Sequence, residues 1–166
     1  MIESNGNQIR VAVYLRVSTE DQIERYGLPM QKDAVMSLIK SKGRDADNKP
    51  RMVFAGDQYL YQEEGISGTT KLFERPAFSR LIEDITTAPK GKKPFDAVAV
   101  YKIDRFARKL SVLLDTVSFF EQYDIMMLSA NESIDTSTPF GRAVLGIIGV
   151  IAELEIETFK ERSLGG

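Results

Sequence analysis

Stretches of strand-forming, β-branched residues alternate with stretches of helical periodicity along this chain, and that rhythm limits its fold more than any other property. Ile9 to Leu15 reads as a buried strand. In LPMQKDAVMSLIKSKG, Leu28, Gln31, Ala34, Val35, Leu38 and Ile39 share one helical face, and Gly43 offers a stop. A second strand is expected near Met52 to Tyr61. A helix opened by Pro76 follows, running to about Thr86 and burying Ala77, Phe78, Leu81, Ile82 and Ile85. DAVAVYKI is a third strand. SVLLDTVSFFEQY is a helix with Leu110, Leu113, Val117 and Phe120 on one stripe, and DIMML is a fourth strand. The order predicts an α/β domain with a central, mainly parallel sheet flanked by helices, its functional groups gathered at the carboxyl ends of strands. With 166 residues, 43% of them hydrophobic, the chain is large enough to bury one such core without disulfides or metals.

The last segment has a different character. From Pro139 to about Ser163 a single helix of about 37 Å is expected, with Thr138 as N-cap and Pro139 at its first position. AVLGIIGVIA is apolar all round, and Val144, Ile147, Ile151 and Leu154 continue a coiled-coil-like seam beside Ile148. One domain face cannot cover all of that surface, and Gly146 and Gly149 allow close approach of another backbone. The helix is therefore expected to pack on its own sheet and on a partner subunit, with an intradomain core helix as the alternative. This divides the chain into an α/β domain, 1–138, and a long dimerisation and linker helix, 139–166. The closing KERSLGG, with a charged helical pattern still running, reads as a truncation ahead of a further region.

Composition excludes several classes of function. The 22 basic and 24 acidic residues leave a net charge of −2, so strong nonspecific nucleic-acid binding is not a property of the whole surface. Any such contact is local, or belongs to a segment outside this chain. Without cysteine there is no disulfide framework or thiolate metal site, which is compatible with a reducing cytoplasm. No apolar run is long enough to span a bilayer, and MIESNGNQIR lacks the hydrophobic region of a signal peptide, so a soluble, cytoplasmic protein is expected. The chain also has no histidine, the usual activator of a hydroxyl nucleophile.

Two strand ends carry the candidate chemistry. In VAVYLRVSTEDQ, Arg16 and Ser18 are two residues apart and point the same way from a strand, with Val17 turned into the core. In YKIDRFARKL, Asp104 and Arg105 fall just past a strand, and Arg105 and Arg108 share a face if they lie on one helical turn. Arg105, Arg108 and Lys109 at a helix start oppose the macrodipole, a conflict that a bound phosphate relieves. Each stretch alone also fits a plainer reading. Thr19, Asp21 and Gln22 suit an ordinary turn, and an arginine pair suits a salt-bridged surface. EEGISGTTKLFERP reads as a glycine-containing contact loop, and APKGKKPF as a solvated one.

Together, YLRVST with Gln22, the later Gln31, EEGISGTT, ERPAFSRLIEDI, IDRFAR, STPFGRA and IAELEIETFKERS resemble, in joint order and over almost the whole chain, the serine recombinases. That family comprises resolvases, invertases and large serine integrases, and EGISG and RPAF are most similar to the large members. The resemblance implies a resolvase-like three-layer catalytic domain with a long C-terminal oligomerisation helix. It implies Ser18 as nucleophile and Arg16, Arg75, Arg105 and Arg108 on the scissile phosphate. Asp104 is then an acid, a base or an orienting group, and Gln22 and Gln31 complete the set. Glu155 matches an acidic position on the long helix, although the arginine that often follows it is Ile156 here. Double-stranded DNA at specific sites, a homodimer and a synaptic homotetramer are the implied partners, with Val144, Ile147, Ile148, Ile151 and Leu154 at the oligomer contact.

The implied reaction is attack by Ser18 on a DNA phosphodiester, giving a 5′-phosphoserine and a free 3′-hydroxyl that later rejoin. Guanidinium groups neutralise charge on the nonbridging oxygens and lower the pKa of the serine, which accounts for the missing histidine. Asp104 either protonates the leaving oxygen or orients an arginine. No Walker motif and no histidine metal site is present, so no metal or cofactor is expected. A catalytically silent assembly module and a serine-dependent phosphodiesterase are the rival functions.

Overall fold

The computed structural model describes residues 8–19, 27–132, 134–136 and 138–165, without the side chains at 149, 152, 153, 155 and 156. Strand β1, Ile9–Val17, is the centre of the sheet. Its partners are β2 (Met52–Phe54), β3 (Leu60–Glu64) and β4 (Ala97–Val100), and β5 (Met126–Ser129) and β6 (Ile134–Asp135) extend the sheet beyond β4. All pairings are parallel except that of β5 with β6. The sheet is thus the mainly parallel one expected from the sequence. Val11 to Leu15 are at most 1% exposed, because a central parallel strand is covered on both faces.

The single strand expected near 52–61 is two strands. Met52–Phe54 pairs with Ile9–Val11 and Leu60–Glu64 with Val13–Val17, end to end along the β1 edge opposite β4. Between them Gly56, at φ +117°, starts a short 3-10 turn over Asp57–Tyr59 that removes the intervening residues from the ladder. The turn lets β3 run on beside the end of β1, where Arg16 pairs in register with Glu63.

Helix α1, Leu28–Ser41, covers one face with Val35 and Ile39 against Val11, Val13, Leu15, Ala97, Ala99 and Leu128. Gly43 follows it at φ +85°, the left-handed conformation that suits glycine after a helix. On the other face lie α2 (Pro76–Thr86) and, beyond the one-turn helix α3 (Ile103–Phe106), α4 (Leu110–Gln122). There Phe78, Leu81, Leu113, Val117 and Phe120 pack on Ala12, Tyr14, Val98 and Val100. Together these are the three layers.

The expected helical turn carrying both Arg105 and Arg108 is not formed. Helix α3 ends at Phe106, Ala107 is extended, and Arg108 and Lys109 precede α4. The extended Ala107 breaks the helical path between α3 and α4, so spacing of three does not place the arginines on one helix face.

Helix α5, Pro139–Leu164, starts as expected: Thr138 Oγ1 accepts a 3.0 Å bond from the Gly141 amide. Leu145 is buried, and Val144 and Ile148 are partly buried against the core, while Ile147, Ile151 and Leu154 are exposed. Among the described residues no helix is long and apolar enough to cross a membrane.

Candidate active site

The two strand ends singled out in the sequence meet through backbone carbonyls. Arg16 sits at the end of β1 on the Tyr14 face and is 2% exposed. Its Nε donates to the Arg105 carbonyl and its Nη1 to the Ile66 carbonyl, each at 2.8 Å. One guanidinium thus ties together β1, the 65–71 loop and α3. Gln31, fully buried in α1, donates from Nε2 to the Arg16 carbonyl at 3.2 Å and fixes the strand end from the opposite layer. Ser18 lies just past β1 and is half-buried.

Arg75 is also 2% exposed. It donates to the carbonyls of Thr70 at 3.2 Å, Phe106 at 2.8 Å and Gly68 at 3.4 Å, and to the Tyr14 hydroxyl at 3.4 Å. None of the salt bridges among the described residues involves it. Glu63, the buried carboxylate of β3, instead accepts the Phe78 amide at 3.0 Å and caps the positive end of α2. Burial pushes the Tyr14 hydroxyl up to about 12, against the opposing hydrogen bond and charge of Arg75. Tyr14 therefore stays a neutral partner at any ordinary pH.

Gly68 brings the remaining arginine in. It is buried, and a Cβ there would lie 2.6 Å from Arg108 Nε, 3.1 Å from Arg108 Cζ and 3.1 Å from Arg16 Nη2. Only a glycine allows the guanidinium groups of Arg16 and Arg108 to flank this loop without displacement. Arg105 is partly buried in α3, and Asp104 beside it is exposed. Gln22 and the side chain of Glu155 lie outside the described residues.

Of the residues expected from the sequence, Arg16, Gln31, Arg75, Arg105 and Arg108 are thus linked around the end of β1. Tyr14, Glu63 and Gly68 were not expected. Tyr14 had a legible signal, since it is two residues before Arg16 and shares its face, and Gly68 falls within the loop already read as a contact loop. Chemically, the cluster offers permanent cations aligned by neutral carbonyls, an arrangement suited to a phosphate or another oxyanion. Among the described residues no three acidic, histidine or cysteine side chains are grouped to hold a metal.

A resolvase-like sheet with buried arginines converging at the end of its central strand defines a domain of the serine recombinases. The chain belongs to that family: residues 11–166 match the model of the resolvase N-terminal domain. It is 31% identical over 165 residues to the probable DNA-invertase y4cG of Sinorhizobium fredii, covering 99% of this chain and 44% of that protein. It is 30% identical over 153 residues to the serine recombinase gin of Escherichia phage Mu, covering 92% of this chain and 63% of gin. The chain therefore spans about half to two thirds of the length of these relatives. The crystal structure of the N-terminal catalytic domain of TP901-1 integrase is similar at a TM-score of 0.68 and 36% identity, covering 90% of this chain and 98% of that one.

Proposed function

We propose that this chain is the catalytic part of a site-specific DNA recombinase in which Ser18 is the nucleophile. The observation that carries the reading is the gathering of Arg16, Arg75 and Arg108 around Gly68 at the end of the strand that leads into Ser18. Ser18 Oγ forms a bond to phosphorus, the bond from phosphorus to the 3′ oxygen breaks, and that oxygen takes a proton to leave as a 3′-hydroxyl. The guanidinium groups stabilise the additional charge of the pentacoordinate transition state and favour the serine alkoxide, so the step needs neither histidine nor a metal ion. Attack by a 3′-hydroxyl on the phosphoserine reverses the chemistry and reseals the strand. Asp104, exposed next to Arg105, serves as proton donor to the leaving oxygen or as an orienting group.

In this reading residues 1–138 do the chemistry, and the segment 139–166, with its helix Pro139–Leu164, joins subunits and leads to a DNA-reading region. The partners are duplex DNA at specific sites, a second copy in a dimer and a tetramer in the synapse, and the reaction takes place in the cytoplasm. The test incubates the full-length protein with a nicked duplex bearing its site, in the presence of EDTA. Covalent protein on the 5′ end is expected, with no adduct from Ser18→Ala. An adduct that persists in Ser18→Ala removes the nucleophile assignment, and loss of wild-type cleavage in EDTA removes the metal-independent step. Release of free 5′-phosphate ends would mark a phosphodiesterase instead.

A further inference from the structure

Beside the arginine cluster is a cavity of about 560 Å³ between the 68–75 segment and α4. That volume lies in the range of small-molecule sites, about 300–1,000 Å³. Its walls are apolar and aromatic, formed by Leu72, Phe73, Phe106, Val112 and Phe119. Among the described residues its charged lining is unbalanced: Lys71, Arg75, Arg108 and Lys109 face it against the carboxylate of Asp115.

Arg75 supplies an independent reason to expect an anion. Its guanidinium is almost completely buried, yet its hydrogen-bond partners among the described residues are all neutral, and two of its bonds are long at 3.4 Å. It has five N–H donors, and the bonds to Thr70, Tyr14, Phe106 and Gly68 occupy four of them. A buried cation is costly unless an opposite charge compensates it. Phe73, 61% exposed and packed edge-on against Phe78, places an aromatic surface beside this charge.

We propose that this cavity binds a small aromatic anion, a ring carrying a phosphate or carboxylate, with the ring between Phe73, Val112 and Phe119 and the anion toward Arg75 and Arg108. Such a ligand shares Gly68, Arg75 and Arg108 with the cluster at the end of β1. Its occupancy would therefore compete with any other anion held there, and the cavity becomes a point at which a metabolite or inhibitor controls the site. Control of the site rests on the proposed function, whereas binding to the cavity does not and is measured without DNA.

The test titrates phenyl phosphate into the isotopically labelled chain and follows amide resonances, with inorganic phosphate and phenol in parallel. Phenyl phosphate is expected to give saturable shifts at Leu72, Phe73, Val112 and Phe119, and each half-molecule to bind at least tenfold more weakly. Reversing the exposed rim with Lys71→Glu and Lys109→Glu together should weaken phenyl phosphate at least tenfold while the remaining spectrum stays that of the folded protein. Ser18→Ala should bind as the wild type does. Absence of saturable shifts, equal affinity for inorganic phosphate, or indifference to the charge reversal overturns the proposal.

Discussion

At the scale of single residues, Gly68 and Tyr14 contact the guanidinium groups of the cluster. Arg16 is anchored by two carbonyls, whereas Arg108 is exposed, so a methyl placed at residue 68 displaces Arg108 rather than Arg16. Removing one donor from a charge-stabilising site costs about 10²–10³-fold in rate. Gly68→Ala is therefore expected to lower DNA cleavage by about that factor with an unchanged melting temperature; full activity would show that Arg108 does not need its place beside Arg16. Tyr14 contributes to alkaline stability, beside Tyr61, whose hydroxyl is also pushed up by burial and by its bond to Asp84. The Tyr14 hydroxyl ionises near 10 in the unfolded chain and is pushed up to about 12 in the fold by burial. Between those values the folded state keeps a proton that the unfolded state has lost, so stability falls as pH rises through this window. Urea unfolding at pH 9 to 12 should show a loss that Tyr14→Phe reduces by up to about 3 kcal/mol; parallel curves would mean that Tyr14 titrates at its ordinary value. The arginines of the cluster were legible only jointly, since arginine beside serine and DRFAR each also suit a turn or a salt-bridged surface and only together point to an oxyanion site. Gly68 was not, because what makes it necessary is the proximity of side chains 52 and 40 positions away in sequence.

Among the elements, capping decides how α2 and α5 enter the fold. Glu63 on β3 satisfies the Phe78 amide at the start of α2, so one buried carboxylate couples the strand beside Arg16 to the helix that follows Arg75. Glu63→Ala leaves that buried N–H without its acceptor and is expected to cost about 1–3 kcal/mol, measured by denaturant unfolding. At the start of α5 the constraint is steric. A Cβ on Gly141 would lie 1.8 Å from the Asp135 carbonyl oxygen, which itself accepts from the Thr138 hydroxyl at 2.9 Å. Gly141→Ala therefore forces α5 away from β6, with an expected loss of about 2–3 kcal/mol; a melting temperature equal to the wild type's would show that the junction yields freely. The boundaries of α1, α2 and α4 followed closely from periodicity and caps. The break between β2 and β3 and the extended Ala107 did not, because each interrupts a pattern that is locally continuous and is set by pairing with β1 or by the packing of Phe106.

For the whole molecule, the unsatisfied surface is on α5. Ile147, Ile151 and Leu154 follow one helical stripe and are 60%, 51% and 56% exposed. If this stripe is the subunit contact, sedimentation at rising concentration will show a dimer that Ile151→Glu with Leu154→Glu converts to a monomer; a wild-type monomer at all concentrations would remove that role. By itself the sequence determined the three-layer α/β domain, the terminal helix and the residue types of the site, because repeats of 2 and 3.6 residues, caps and glycine stops act over a few neighbouring positions. The tertiary structure alone decided how those residues meet. Arg16 and Arg75 are held by the carbonyls of Ile66, Gly68, Thr70, Arg105 and Phe106. A carbonyl is common to every residue and carries no sequence signature, so only the folded path of the chain brings these acceptors to the guanidinium groups and leaves an aromatic cavity beside them.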